Sequence, residues 1–195
     1  MSKMVVFAGV VLTALVSGGS VRANLIVNGG FEESSVFELP DGWDHDGAFV
    51  SDSSLSFFGG WGPRSGNQYA AFGFVGSLGT ISQTLTTEVG KPYLFEFYTA
   101  SDGNTPNGFQ AWWNGTLLSD EVDIPQQNYQ RHAFVVEGTG TDVIVLAGRD
   151  DPGWQSLDDV SVTRLPEPAP LACLAGAVLT LAGQWRRRSR GAPTA

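Results

Sequence analysis

The 195-residue sequence has one cysteine, Cys173, and it lies in an apolar stretch near the C-terminus. The rest of the chain therefore builds no disulfide, no cysteine zinc cluster and no cysteine nucleophile. Histidine is nearly as scarce: His45 and His132 are the only two, far apart, with neither a metal-binding spacing nor a GxSxG elbow beside them. Basic charge is thin through the middle of the chain. Between Asn24 and Leu165 there are five basic residues (Arg64, Lys91, Arg131, Arg149 and Arg164) against 19 acidic ones, a net charge of −14. Such a surface repels phosphate backbones, so nucleic acid is excluded as a partner and divalent cations are favoured. Also missing is any helical period between the two ends, and no apolar run reaches the roughly 20 residues of a comfortable membrane span.

What is present begins with two greasy ends. Lys3 is followed by the apolar run Val5 to Val16 (VVFAGVVLTALV), and Val21-Arg22-Ala23 offers small residues where a signal peptidase reads. Residues 1–23 are read as a signal-peptide helix cleaved after Ala23. At the other end Leu165 to Pro170 reads LPEPAP, Leu171 to Gly183 is apolar, and Arg186, Arg187, Arg188 and Arg190 follow. Apolar residues partition into lipid while arginines stay cytoplasmic, the physics of a stop-transfer segment. Trp185 and snorkelling arginines lengthen the short run. Residues 165–190 thus read as a stop-transfer-like segment with a transmembrane-like helix, and 191–195 as a short tail.

The order Pro166-Glu167-Pro168, apolar helix, Arg186-Arg187-Arg188 resembles the PEP-CTERM sorting signal of Gram-negative bacteria. The resemblance implies recognition by an exosortase near the Pro-Glu-Pro motif. It also implies at least transient membrane anchoring and delivery to the cell surface or extracellular matrix of a bacterium that makes exopolysaccharide. Cys173, Thr180 and the trailing GAPTA depart from the pattern without disturbing its order.

Residues 24–164 read as one all-β domain. Gln68–Phe74, Thr80–Leu85, Tyr93–Thr99, Phe109–Trp113, Leu117–Leu118, Arg131–Glu137, Asp142–Gly148 and Leu157–Thr163 alternate apolar and polar residues. Gly90-Lys91-Pro92, Asp102-Gly103-Asn104, Gly138-Thr139-Gly140 and Asp151-Pro152-Gly153 punctuate them. Asn114-Gly115 predicts a tight hairpin, because both residues tolerate positive φ. Eight short strands at this spacing predict a jelly-roll β-sandwich. Roughly 140 residues bury an adequate core without a disulfide.

Asn24–Glu32 (NLIVNGGFE), Ile81-Ser82-Gln83-Thr84-Leu85, Gly90, Tyr93–Phe97 and Leu157-Asp158-Asp159-Val160-Ser161-Val162 together resemble the galactose-binding-like jelly rolls, among them several carbohydrate-binding modules. That resemblance implies that the first and last strands lie together. It also implies a structural calcium at the backbone near Gly30, Glu32, and Asp158 or Asp159. Strand alternation sends the two aspartates to opposite faces, so at most one of them is expected to ligate directly. Trp112, Trp113, Tyr98, Arg131 and Trp154 are the candidate glycan-binding residues, with Gln110 close by. Adjacent on one strand, Trp112 and Trp113 face opposite ways, one into the core and one outward as a stacking platform. Trp43 and Trp61 flank a Gly-rich loop and are expected to pin it. The carboxylate pairs Asp44/Asp46, Asp120/Asp123 and Asp150/Asp151 read as solvated turns, with no sign of a raised pKa. The expectation is a non-catalytic surface module associated with extracellular polysaccharide. Two alternatives stand beside it: a structural surface protein without a glycan ligand, and a small secreted glycan-active enzyme.

Overall fold

The computed structural model describes residues 23–51 and 61–166. The predicted signal-peptide helix and the apolar C-terminal helix, with Glu167, Pro168 and the arginines, lie outside the described residues, whereas Pro166 ends them, exposed. The described residues contain ten strands and no helix: β1 (Asp44–Asp46), β2 (Phe49–Ser51), β3 (Tyr69–Phe72), β4 (Gly79–Thr86), β5 (Pro92–Ser101), β6 (Asn107–Trp113), β7 (Thr116–Val122), β8 (Gln127–Glu137), β9 (Thr141–Asp150) and β10 (Gln155–Arg164). They form two five-stranded sheets with the orders β1-β4-β9-β6-β7 (the front sheet) and β2-β3-β10-β5-β8 (the back sheet). Every pairing between named strands is antiparallel. Each expected strand segment lies within or overlaps one of these ten. The two that the alternation does not foretell, β1 and β2, flank Gly47 and the buried Ala48 and pair at the sheet margins, β1 with β4 and β2 with β3.

Alternation explains which way the strands face. Ile81 and Leu85 of β4 and Tyr93, Phe95 and Phe97 of β5 point inward, while Thr84, Thr86, Leu94 and Glu96 point out. The core is aromatic. Phe97 packs 5.3 Å from Phe95, 5.7 Å from Phe109 of the front sheet and 6.1 Å from Phe134, and Phe72 meets Phe109 edge-on at 5.9 Å. His132 faces inward too, stacked on Phe97 at 4.9 Å and hydrogen-bonded to Thr99 Oγ1. Burial pushes its pKa down, and Glu121 at 3.3 Å offsets this only in part. It is a structural histidine.

The two ends of the domain are tied together. Leu25 N–H donates to the Val162 carbonyl, Val160 N–H donates to the Gly29 carbonyl, and Asn24 Oδ1 accepts from Ile26 and Val162. Residue 29 must be glycine here, because a Cβ would stand 2.1 Å from the Val160 carbonyl oxygen. The β6–β7 hairpin turns on Asn114 and Gly115 at φ 47° and 74°, the positive values that a two-residue primed turn requires.

In β10 the alternation breaks with consequence. Between Asp158 and Ser161 the register of β10 against β5 shifts, and Asp159 adopts φ 51°. This bulge re-aims the chain. The two carboxylates therefore do not part to opposite faces. Both meet the segment 64–65 on the outside of the back sheet, where Asp158 Oδ2 accepts from Arg64 N–H and Ser65 N–H and Asp159 Oδ1 accepts from the Ser65 hydroxyl.

Candidate functional site

The adjacent tryptophans lie on opposite faces of β6. Trp113 is buried, tilted against Phe95 at 6.1 Å, with its indole N–H donating to the Glu137 carbonyl. Trp112 is half-buried on the outer face of the front sheet. Register sets Val145 of β9 on one side of it and Leu117 of β7 on the other, with Ser82 beyond Val145. A bulge at Leu118 makes this row possible: Leu118 turns into the core, so Leu117 and Trp112 share the outer face. The next row holds Thr80, Ala147, Gln110 and Asp120, and Gln110 Nε2 donates to Asp120 Oδ1 at 3.0 Å. Farther along, the missing side chain of Gly108 leaves a depression of about 270 Å³, with Arg149, Asp120 and Val122 among its walls. Arg149 pairs with Asp151 at 3.5 Å, and its Nε is buried without a hydrogen-bond partner. An aromatic ring, an aliphatic strip and an amide, a carboxylate and a guanidinium thus line one open surface. Chemically this suits a ligand with apolar C–H faces and hydroxyl edges. Arg149 escapes sequence reasoning because its partner strands are distant in the chain.

The structure does not bring Tyr98 and Arg131 to this surface. They pair across β5 and β8, on the outer face of the back sheet, so the sandwich separates them from Trp112. There they serve one another. Tyr98 O–H donates to Glu96 Oε1 at 2.9 Å, Arg131 donates to Glu96 Oε2 at 2.6 Å, and the Arg64 guanidinium lies 3.5 Å over the Tyr98 ring. The Arg131 hydrogen bond, with help from Tyr98, holds Glu96 below the usual carboxylate range despite partial burial. The segment 61–65 roofs the neighbouring part of this face: Trp61 Nε1–H donates to the Ser101 carbonyl, and Tyr129 O–H donates to the Gly62 carbonyl. Trp43 is a core residue, 5.8 Å from Phe31, with Nε1–H donating to the Asn28 carbonyl.

Gly30, Glu32, Asp158 and Asp159 do converge near this roof. A Cβ on Gly30 would lie 3.9 Å from Glu32 Cγ and 4.0 Å from Asp159 Oδ1. Their oxygens, however, are aimed at hydrogen-bond donors. Glu32 Oε1 accepts from Asn67 and Gln68 N–H. Asp158 Oδ2 takes two N–H groups and Oδ1 a third, from Asp159. Asp159 holds the Ser65 hydroxyl and the Arg64 guanidinium. Calcium requires six to eight oxygens facing one point. Among the described residues no group of three or more His, Cys, Asp or Glu side chains is arranged to hold a metal. This donor set does not fit the ion, and the Arg64 guanidinium supplies the positive charge instead. Asp158 is 0% exposed, and that burial pushes its carboxyl up to about 7 against the pull of its three N–H donors.

A second buried carboxyl lies at the end of the sandwich where Trp154 sits. Trp154 packs on Tyr69 and Ala71 and lines a cavity of about 430 Å³ with Gly73, Val75, Asn104, Asp150 and Gly153. Asp150 is not a solvated turn residue. It is 1% exposed, and neither carboxylate oxygen accepts a hydrogen bond. Burial first, and the Asp102 carboxylate second, push it up to about 7, and the adjacent Asp151 N–H offsets this only in part from outside hydrogen-bond geometry.

No protein-family model matches the sequence, and no curated protein matches it. The fold does match solved structures. The K2 cleaved adhesin domain of Lys-gingipain aligns with a TM-score of 0.51 at 15% identity, over 69% of this chain and 96% of that one. The CBM22-1 xylan-binding domain of Paenibacillus barcinonensis Xyn10C aligns with a TM-score of 0.50 at 15% identity, over 75% and 97%. The enzymatically active domain of tailspike protein 4 from bacteriophage CBA120 gives 0.50 at 14% identity, over 73% of this chain but only 21% of the tailspike. Identities this low establish a shared fold: an antiparallel two-sheet sandwich of the kind that carbohydrate-binding modules use.

Proposed function

We propose that this protein is an exported, non-catalytic surface module that holds extracellular polysaccharide on the outer face of its front sheet. The observation that carries the reading is Trp112, half-buried on an open face with Val145 and Leu117 beside it and Gln110, Asp120 and Arg149 within the same surface. An indole presents its face to the C–H groups of a pyranose, and the flanking polar groups read hydroxyls. The likeness of fold to a xylan-binding domain supports trying β-linked polysaccharides first. A catalytic role is disfavoured by burial. A carboxyl near 7 is what a general acid needs, but Asp150 and Asp158 are closed to any glycosidic oxygen.

The test is retention on insoluble xylan, cellulose and the producing cell's own exopolysaccharide. Trp112→Ala should weaken binding at least tenfold, the loss of roughly 1.4 kcal/mol or more, with the unfolding midpoint nearly unchanged. Loss in Tyr98→Ala instead would move the site to the back sheet. Failure of the unaltered protein to be retained on any of the three would favour a structural surface protein without a glycan ligand.

Export and sorting belong to the same proposal. Signal peptidase cleaves after Ala23, the apolar C-terminal segment enters the membrane with its arginines on the cytoplasmic side, and an exosortase acts near Pro166-Glu167-Pro168. Replacing those three residues with alanine should leave full-length precursor in the membrane fraction of an exosortase-bearing host. Normal processing of that variant would refute the sorting assignment.

A further inference from the structure

Two acidic side chains face each other at the Trp154 end of the sandwich, Asp102 just after β5 and Asp150 at the end of β9, 48 positions apart in the chain. Gly153 is the piece between them. At φ 149° it places its α-carbon so that a Cβ would stand 2.2 Å from Asp102 Oδ2 and 2.8 Å from Asp150 Oδ1. Both carboxylates therefore close on the Gly153 α-carbon, where any side chain would collide with them. Asp102 is held in place from outside: Oδ1 accepts from Asn104 N–H at 2.8 Å, and Oδ2 accepts from Asn104 Nδ2 at 2.9 Å and from Trp154 N–H at 3.4 Å. Asp150 has no such support, as both of its oxygens are shielded from water and accept nothing. A third orphan lies at the same end of the sandwich. Gln155 is 0% exposed, and neither its amide oxygen nor its amide nitrogen has a partner. Backbone register carries Gln155 to the same end of the sandwich as Asp150: Asn107 stands opposite Asp150, Asn107 Nδ2 donates to Ser101 Oγ at 3.4 Å, and Ser101 stands opposite Gln155.

A buried carboxylate without a donor is costly, and proteins retain such groups where a ligand satisfies them. Oxygens alone, from carboxylates and an amide, with Asp150 in the wall of the Trp154 cavity, are the ligands of a hard cation that tolerates irregular geometry. We propose that Asp102, Asp150 and Gln155 Oε1 hold a calcium-type divalent cation, with water from the Trp154 cavity completing its shell. This site is separate from the Glu32–Asp158–Asp159 group, where Glu32 Oε1 and both oxygens of each aspartate already accept from N–H and O–H donors. The proposal does not depend on glycan binding.

The experiment is thermal unfolding of the full chain, stripped with chelator at pH 7.5 and then titrated with calcium chloride. Saturating calcium should raise the midpoint by about 5 °C or more. Asp150→Asn, which removes the buried charge but keeps the shape, should fold, should unfold no lower than the stripped parent, and should lose the calcium response. Asp102→Asn, nearer the surface, should lose it as well. Glu32→Gln should retain it. A parent midpoint that ignores calcium would overturn the proposal and leave Asp102 and Asp150 sharing a proton. A response that survives Asp150→Asn and Asp102→Asn but vanishes in Glu32→Gln would overturn it too, by moving the ion to the other carboxylate group.

Discussion

Phe97→Ala removes about 3–5 kcal/mol of stability, measured by urea unfolding of the chain and its variant. Phe97 is 0% exposed and touches both layers: Phe95 and Phe134 on its own sheet, Phe109 on the other, and the His132 ring stacked 4.9 Å away. Truncation strands all four neighbours around a cavity that strands in two rigid sheets cannot collapse to fill. A domain of this kind has only about 5–15 kcal/mol in total, so the variant should populate unfolded chain at 37 °C. Phe97→Leu should cost less than half as much. Equal losses from the two substitutions would show that the ring stack, rather than volume, holds the sheets together.

Asp142→Ala should cost about 3 kcal/mol or more, a large effect for a residue near a turn. Its side chain is 0% exposed and accepts hydrogen bonds from the Thr87 hydroxyl, the Asn114 amide, and both the N–H and the hydroxyl of Thr139. It thereby clamps the β6–β7 hairpin turn to the β8–β9 turn, and Asn114 in turn takes Val143 N–H beside the Trp112 surface. Burial alone would raise its pKa. The Thr87, Thr139 and Asn114 donors outweigh burial and hold the carboxyl below its ordinary value. A depressed folded pKa means that the unfolded chain binds the proton more readily. The contribution is then fully present above the unfolded value of about 4 and is lost as pH falls through the lower folded value. The difference in unfolding free energy between the parent and Asp142→Asn should accordingly be largest near neutrality and shrink below about pH 4. A difference that stays constant down to pH 2 would contradict the clamp.

Much of this architecture is legible in the sequence. Ile81 and Leu85, or Tyr93, Phe95 and Phe97, recur every second residue, and only a strand puts such residues on one face. Asn114-Gly115 announces its hairpin because few other pairs accept positive φ twice in succession. The adjacent Trp112 and Trp113 must part to opposite faces for the same stereochemical reason. The candidate surface was legible only in half. Trp112 and Gln110 could be named, but Arg149 and Val145 join them through the β6–β9 pairing, and Tyr98 and Arg131 are carried to the other sheet by the β5–β8 pairing. Neither pairing has a local signal.

The carboxylates divide in the same way. Nothing around Asp150-Asp151 distinguishes a buried acid from a solvated turn, because burial depends on what the opposite sheet and the 102–104 loop lay over it. Likewise Asp158 and Asp159 share a face only because β10 bulges against β5. Strand identity, turn placement and the acidic balance are short-range properties of the chain, set by backbone sterics and composition. Which strands neighbour one another, which acid loses its water and which tryptophan keeps an open face arise from contacts between residues far apart in sequence, so folding alone decides them.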